Sequence, residues 1–319
     1  MKKFVPFLFI LPFMINFTSN QTLFEACLKM VKEDDTLQLK TQLASFYTAY
    51  LRENTSYHDA VKALRAKDEK STFIYLDSLI KDDLFLDELP KDTQFLTLHD
   101  HRTWKKLIDT INYLKAHYNE SLRQQLKSIQ GTDQGIRLFY LASLEYYQKN
   151  DPIPLKIHQV MKQIDEENGQ KIQAFLSKNG WIGQRVVGKE GNETLFLGIQ
   201  HIDDLLVQEK YLLMLQKAVK AGNAEPWHLA FLTDRIAMNH GKKQTYGTQV
   251  ILSDNPSESY VVPLQDPEKV DQWRKEIGLP PLREYLKEDG IIWDLKTYKN
   301  DLPRIESLYR QRKNKKQMD

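Results

Sequence analysis

From Leu23 to about Asn112 apolar residues recur at helical spacings and glycines are few. Leu37, Leu39, Leu43, Phe46 and Tyr50 fall at such intervals, and "HDAVKALRAKDEKSTFIYLDSLIKD" reads as two helices around a tight turn at Lys67-Asp68. Ala60, Ala63 and Leu64 make one apolar stripe; Phe73, Leu76 and Ile80 make the other. Asp92 is placed as a cap ahead of Phe95 and Leu98, and Trp104, Leu107, Ile108 and Ile111 form a further amphipathic helix. The helical period continues beyond this segment. "ESLRQQLKSIQGTDQGIRLFY" and "IPLKIHQVMKQIDEENGQKIQAFLSKNGW" predict two long helices, the second ending at Asn179-Gly180 in a left-handed C-cap. Two more are expected near Gln208–Ala221 and Glu225–Asn239, with Pro226 in a first turn. Strand signals are confined to "KQTYGTQVILS" and "SYVVPL", joined by the turn-rich "DNPSE". The expected fold class is therefore mainly α: a repeat-like N-terminal helical unit packed on a helical C-terminal domain with a small β-hairpin.

At 319 residues, 41% hydrophobic and 28% charged, the chain has the composition of a globular protein able to bury a core unaided. Basic and acidic residues number 45 and 43, and the surplus sits at Lys2 and Lys3, so no nucleic-acid partner is expected. "MKKFVPFLFILPFMINFTSNQ" has a charged start, an apolar run and then small polar residues, the pattern of a secretory signal over residues 1–20. Export to the periplasm or beyond is the expectation; an uncleaved leader would instead anchor the chain to the membrane. Cys27 is the only cysteine, so no internal disulfide can form, and it reads as a small buried hydrophobe. "RQRKNKKQ", within a C-terminal tail over 289–319, has no aromatic interleaving and reads as a solvated end.

The Ala-rich helix, the Lys67-Asp68 turn, "YLDSLI" and the "F..L..H..W..L" tail resemble the end of a tetratricopeptide-like helical array over roughly residues 45–112. A unit over 21–112 would then serve either as a helical spacer or as a groove for a protein or peptide partner. The following unit, 113–288, carries polar residues where its helices should be apolar. In "TLFLGIQHI", Leu195, Ile199 and Ile202 share a face, and Gln200 and His201 flank buried surface beside Leu197. In "PWHLAFLTDRIAMNH", Asp234 falls inside the stripe of Trp227, Phe231 and Met238, where a carboxylate needs a partner. Arg235 points elsewhere and suits a planar anion. In the predicted strand, Gln244, Tyr246 and Thr248 share one face, with Gln249 and Gly247 on the other. Such neutral groups bind ligands but are poor bases. The histidines show no metal-ligand spacing, so neither a metal nor a cofactor is expected.

In order, D-Q-x-x-R at Asp133, Gln134 and Arg137, I-D-x-x-N at Asp165 and Asn168, G-W, V-V-G, Q-H, L-x-D-R, Q-x-Y-G-T-Q and G-L-P-P-L resemble the bacterial domain of unknown function 6624 over residues 120–286. Ile182 stands where that family more often has proline. The resemblance implies that Gln200, His201, Asp234, Arg235, Gln244, Tyr246 and Gln249 belong to one shared feature, and it brings no established activity. The expected function is a polar site for a small molecule or peptide, catalysing hydrolysis or group transfer. His201 would be acid or base, Asp234 its orienting partner, Arg235 an anion holder, and Gln200, Gln244, Tyr246 and Gln249 ligand contacts. The alternative is a non-catalytic envelope module whose polar cluster fixes the fold. No dinucleotide fingerprint, phosphate-binding loop or nucleophile elbow is present.

Overall fold

The computed structural model describes residues 17–148, 150–252, 259–288 and 290–318, with side chains except at 17–20, 288 and 312–318. The N-terminal leader pattern (residues 1–16) and the "DNPSE" turn lie outside the described residues. The chain is mainly α with one small hairpin. In order come α1 (Phe17–Lys32), α2 (Thr36–Asn54), α3 (Ser56–Arg65), α4 (Glu69–Lys81), 3-10 turns at Leu89–Lys91 and Thr93–Leu98, α5 (Arg102–His117), α6 (Glu120–Tyr146), α7 (Pro152–Asn179) and α8 (Gln184–Gln200). Then follow α9 (Leu205–Lys220), α10 (Pro226–Asn239), β1 (Val250–Ile251), β2 (Tyr260–Val261), α11 (Val270–Glu276), α12 (Leu282–Glu288) and α13 (Leu295–Met318). Among the described residues no helix is long and apolar enough to cross a membrane.

The chain forms two compact units that part between His201 and Ile202. The expected boundary near residue 112 therefore falls inside the first unit, where α6 packs on α2, α7 and α8. Local signals start the helices: Asp35, Asp68, Asn119 and Asp151 each accept a hydrogen bond from an amide in the first turn of the helix they precede. Lys67 adopts φ 60° at the α3–α4 turn. Leu43 and Phe46 from α2, Leu126, Ile136 and Phe139 from α6, Ile172 from α7 and Phe196 from α8 are buried, with the Phe139 ring 5.3 Å from Phe24. Two glycines let α2 approach α6. A Cβ at Gly135 would lie 2.2 Å from the Leu43 carbonyl oxygen, and one at Gly131 would lie 3.0 Å from Ala44 Cβ. Cys27 is fully buried, and burial pushes its thiol up to about 12.

α8 is broken at Gly188 (φ 76°, ψ 172°). The break lets Lys189 N donate to Asp83 Oδ2 at 2.6 Å, while Tyr118 Oη donates to Asp83 Oδ1 at 3.0 Å. Asp83 thus caps the long half of α8, which runs from there to His201. Nearby, Asp87 accepts from Lys115, Arg123 and Lys127 at 2.6–2.9 Å.

In the second unit α9 packs on α10, and β1 pairs antiparallel with β2, Val250 opposite Val261. The hairpin is much shorter than the strand expected from Lys243 onward. Gln244 makes one isolated parallel bridge to Leu264, and the residues between it and β1 form a loop. The amides that a strand would have donated sideways go instead to a buried carboxylate, described below. The C-terminal segment forms α13. It is helical from Leu295, with Ile305 buried and Tyr309 Oη donating to Met238 O at 2.7 Å.

Replacing Gly135 with alanine should lower the melting temperature, by an overpacking cost of about 1–3 kcal/mol or more, because the obstacle is backbone. Thermal unfolding followed by circular dichroism checks this, and an unchanged midpoint would contradict the close α2–α6 approach.

Candidate acid–base site

His201 ends α8 as its C-cap residue, with φ −90° and ψ −6°. Its Nδ1 lies 2.8 Å from Asp133 Oδ1, and both side chains are almost wholly buried. A carboxylate can only accept, so Nδ1 carries the hydrogen, and when the ring is neutral Nε2 is the basic nitrogen. Asp133 is held from other directions too. Gln134 Nε2 donates to Oδ2 at 2.6 Å, and Arg137 Nη1 donates to Oδ1 at 3.2 Å and to the Asp133 carbonyl at 2.8 Å. Arg137 Nη2 reaches across to Asp165 Oδ1 on α7 at 2.8 Å. Burial pushes the Asp133 carboxyl up, but Arg137, then His201 and Gln134, outweigh it and hold the group at about 2. Gln200, the residue before the histidine, is 2% exposed.

The carboxylate against His201 is thus that of Asp133, not the Asp234 that the sequence suggested. Asp234 is fully buried on α10 and is spent on the loop that follows. Thr245 N donates to its Oδ1 at 2.8 Å, Tyr246 N to both oxygens at 3.1 Å, and Thr248 N and Oγ1 to Oδ2 at 3.0 Å. Burial raises this carboxyl above its ordinary range, and the same loop amides pull it back. The glutamines serve the same loop. Gln244 Nε2 donates to the carbonyls of Gln249 and Val262 at 2.9 and 2.8 Å, and its Oε1 accepts from Gln249 N at 2.8 Å. Gln249 Nε2 donates to Thr248 Oγ1 at 3.1 Å. Tyr246 O accepts from the buried Arg274 at 2.7 Å, and that guanidinium also donates to Pro280 O at 2.6 Å. Gly247 sits at φ 69°, where a Cβ would lie 2.9 Å from Leu282 on α12. Asp234, Gln244, Tyr246 and Gln249 are therefore brought together, as a loop wound on a carboxylate. Arg235, the next residue of α10, is half-buried.

The first unit adds residues that the sequence reading missed. Glu190, Glu193, Leu197 and His201 recur at steps of three, four and four, which is one stripe of α8. Glu190 and Glu193 are both half-buried on this stripe. Burial pushes Glu190 up to about 7, with Lys127 opposing, and pushes Glu193 up to about 8, with the charge of Glu190 adding. Two acidic residues three apart in the apolar "GKEGNETLFLG" were the available signal. The buried Tyr47 of α2 is raised well above its usual range by burial and by Glu190, Glu193 and Asp133, so its hydroxyl lies within the field of all three.

One ligand atom each from Asp133, Asp165 and His201 falls within 4.8 Å of the others. Arg137 already donates to both carboxylates, so a metal ion there would have to displace a guanidinium. A groove of about 660 Å³ runs along α2 and α6, lined in part by Ser128 and Thr132. At about 100° per residue these stand on a different face of α6 from Asp133, so that groove is separate from the histidine.

Two outcomes test this geometry. Asp234→Asn puts an amide N–H against amide donors and should cost about 3 kcal/mol or more, read as a fall in melting temperature. An unchanged midpoint would contradict the loop's dependence on the anion. For Asp133 the folded value lies below the unfolded one of about 4, so its contribution is complete above about pH 4 and is lost as pH falls towards 2. The stability gap between the parent and Asp133→Asn should therefore be full at pH 7 and shrink below pH 4; a constant gap would contradict the assignment.

No curated protein and no solved structure matches the chain. The Family of unknown function (DUF6624) matches residues 120–297, which takes in α6, the His201 dyad and the Asp234 loop but none of the preceding helices α1 to α5. That match covers more than half of the sequence, and the chain belongs to this family.

Proposed function

We propose that the protein is an acid–base enzyme that hydrolyses, or transfers a group from, a polar small molecule or peptide. The observation that carries this reading is the His201 imidazole bonded through Nδ1 to the buried Asp133. In the reaction, His201 Nε2 takes a proton from water or a substrate hydroxyl as it attacks, then returns it to the leaving group. Asp133 fixes the tautomer and balances the charge that forms on the ring. Arg137 and Gln134 keep Asp133 ionised and in place. The leader pattern in residues 1–20 supports export, with the reaction placed outside the cytoplasm.

A second reading, a non-catalytic envelope module, draws support from the Asp234 loop, where Gln244 and Gln249 bond to the loop itself. It accounts for the second unit but gives no reason for a titratable imidazole on a buried carboxylate in the first.

The test is turnover in a mixed metabolite extract followed by mass spectrometry. The parent should consume a compound that His201→Ala, matched for melting temperature, consumes about 10²–10⁴-fold more slowly. Asp133→Asn should slow the same compound. Equal consumption of every compound by parent and His201→Ala would overturn the reading.

A further inference from the structure

Arg137 is shared between two carboxylates, and the sharing is unequal. Its Nη2 donates to Asp165 Oδ1 at 2.8 Å, while its Nη1 stands 3.2 Å from Asp133 Oδ1. That same Asp133 oxygen accepts from His201 Nδ1 at 2.8 Å, and the other Asp133 oxygen takes Gln134. The imidazole and the guanidinium therefore compete for one oxygen, and the imidazole has the shorter bond.

The competition matters because Arg137 acts on the pair in two ways. Its positive charge keeps Asp133 ionised, yet it opposes a second positive charge on the neighbouring ring. Asp165 bears on that conflict from α7. One of its oxygens lies within 4.8 Å of a His201 ring nitrogen. α8 packs on α6 and α7, and the charged side chains those helices bring to the ring are Asp133, Arg137 and Asp165. Glu167 on α7 is paired with Lys40, and Asp203 and Asp204, which follow the histidine, are exposed. Tyr47 of α2, whose hydroxyl is kept neutral by burial, adds no charge. Two carboxylates and one guanidinium leave one negative charge over, and an imidazolium matches it. Without the Asp165 charge, Arg137 would match Asp133 alone, and the ring would take its proton beside a neutral pair.

We propose that Asp165 is a positioning residue for the acid–base reaction, which holds Arg137 off Asp133 Oδ1 so that the Asp133 charge serves the His201 imidazolium. The role rests on the acid–base reading of His201 and adds to it a residue on a third helix that acts only through Arg137 and the ring's charge balance.

Titration of the His201 ring by ¹H–¹⁵N spectroscopy of the full chain tests this. Asp165→Asn keeps an oxygen for Arg137 and removes the charge. Its His201 midpoint should fall by about one pH unit, a tenfold loss of proton affinity. Arg137→Gln removes the opposing charge and should raise the midpoint. An ion pair that only ties α6 to α7 would lower the melting temperature of Asp165→Asn and leave the midpoint where it was. A midpoint unchanged or raised in Asp165→Asn would overturn the proposal whatever the variant's stability. Should that variant not fold, an Arg137→Gln midpoint at or below the parent's would overturn it. These titrations need no substrate, so equal turnover by parent and His201→Ala, which defeats the catalytic reading, is a separate result.

Discussion

Asp133 is a buried carboxylate, and such a group persists only where donors replace the water it has lost. Three side chains of the first unit arrange themselves around that need. Gln134 and Arg137 come from the same helix, Arg137 extends the network to Asp165 on α7, and His201 arrives at the end of α8. Three helices are thereby tied at one point. Separately, Gly131 and Gly135 let α2 lie close against α6, and Asp83 caps the long half of α8.

The second unit meets the same need with different chemistry. Asp234 is satisfied by the backbone amides of Thr245, Tyr246 and Thr248 together with one hydroxyl. Amide donors do not titrate, so this arrangement stores shape: a loop in place of a strand, with Gly247 in the left-handed region against Leu282. Asp133 is instead satisfied by groups that carry or exchange protons. A carboxylate bonded to imidazole and guanidinium can steer a proton, whereas one bonded to a loop holds the loop. One buried aspartate thus holds a loop, and the other holds an imidazole and a guanidinium.

Much of this was legible beforehand. Helical periodicity located the helices from α2 to α10, and Asp92, Pro226 and Gly180 marked ends where the structure has them. The ordered motifs identified the family, and burial of Gln200 and Asp234 followed from their places in apolar stripes. What was not legible is which polar groups meet. Asp234 sits in a stripe that must find donors, but a pattern along one helix does not say whether a histidine or a loop supplies them. "QTYGTQ" alternates as a strand would, and only the competing demand of Asp234 for its amides turns it into a loop. The Asp133–His201 pair joins residues 68 positions apart, beyond the reach of any local period. Glu190 and Glu193 stood in plain view as acids on an apolar helix.

Asp133 holds the neutral His201 as the tautomer protonated on Nδ1, with Nε2 as the base. Two-dimensional ¹H–¹⁵N spectroscopy of the histidine side chains at neutral pH reads the tautomer directly. A protonated Nδ1 and an unprotonated Nε2 are expected for His201 in the parent, with that preference lost in Asp133→Asn. A His201 ring protonated on Nε2 in the parent, or one whose tautomer ignores the loss of the Asp133 charge, would contradict it.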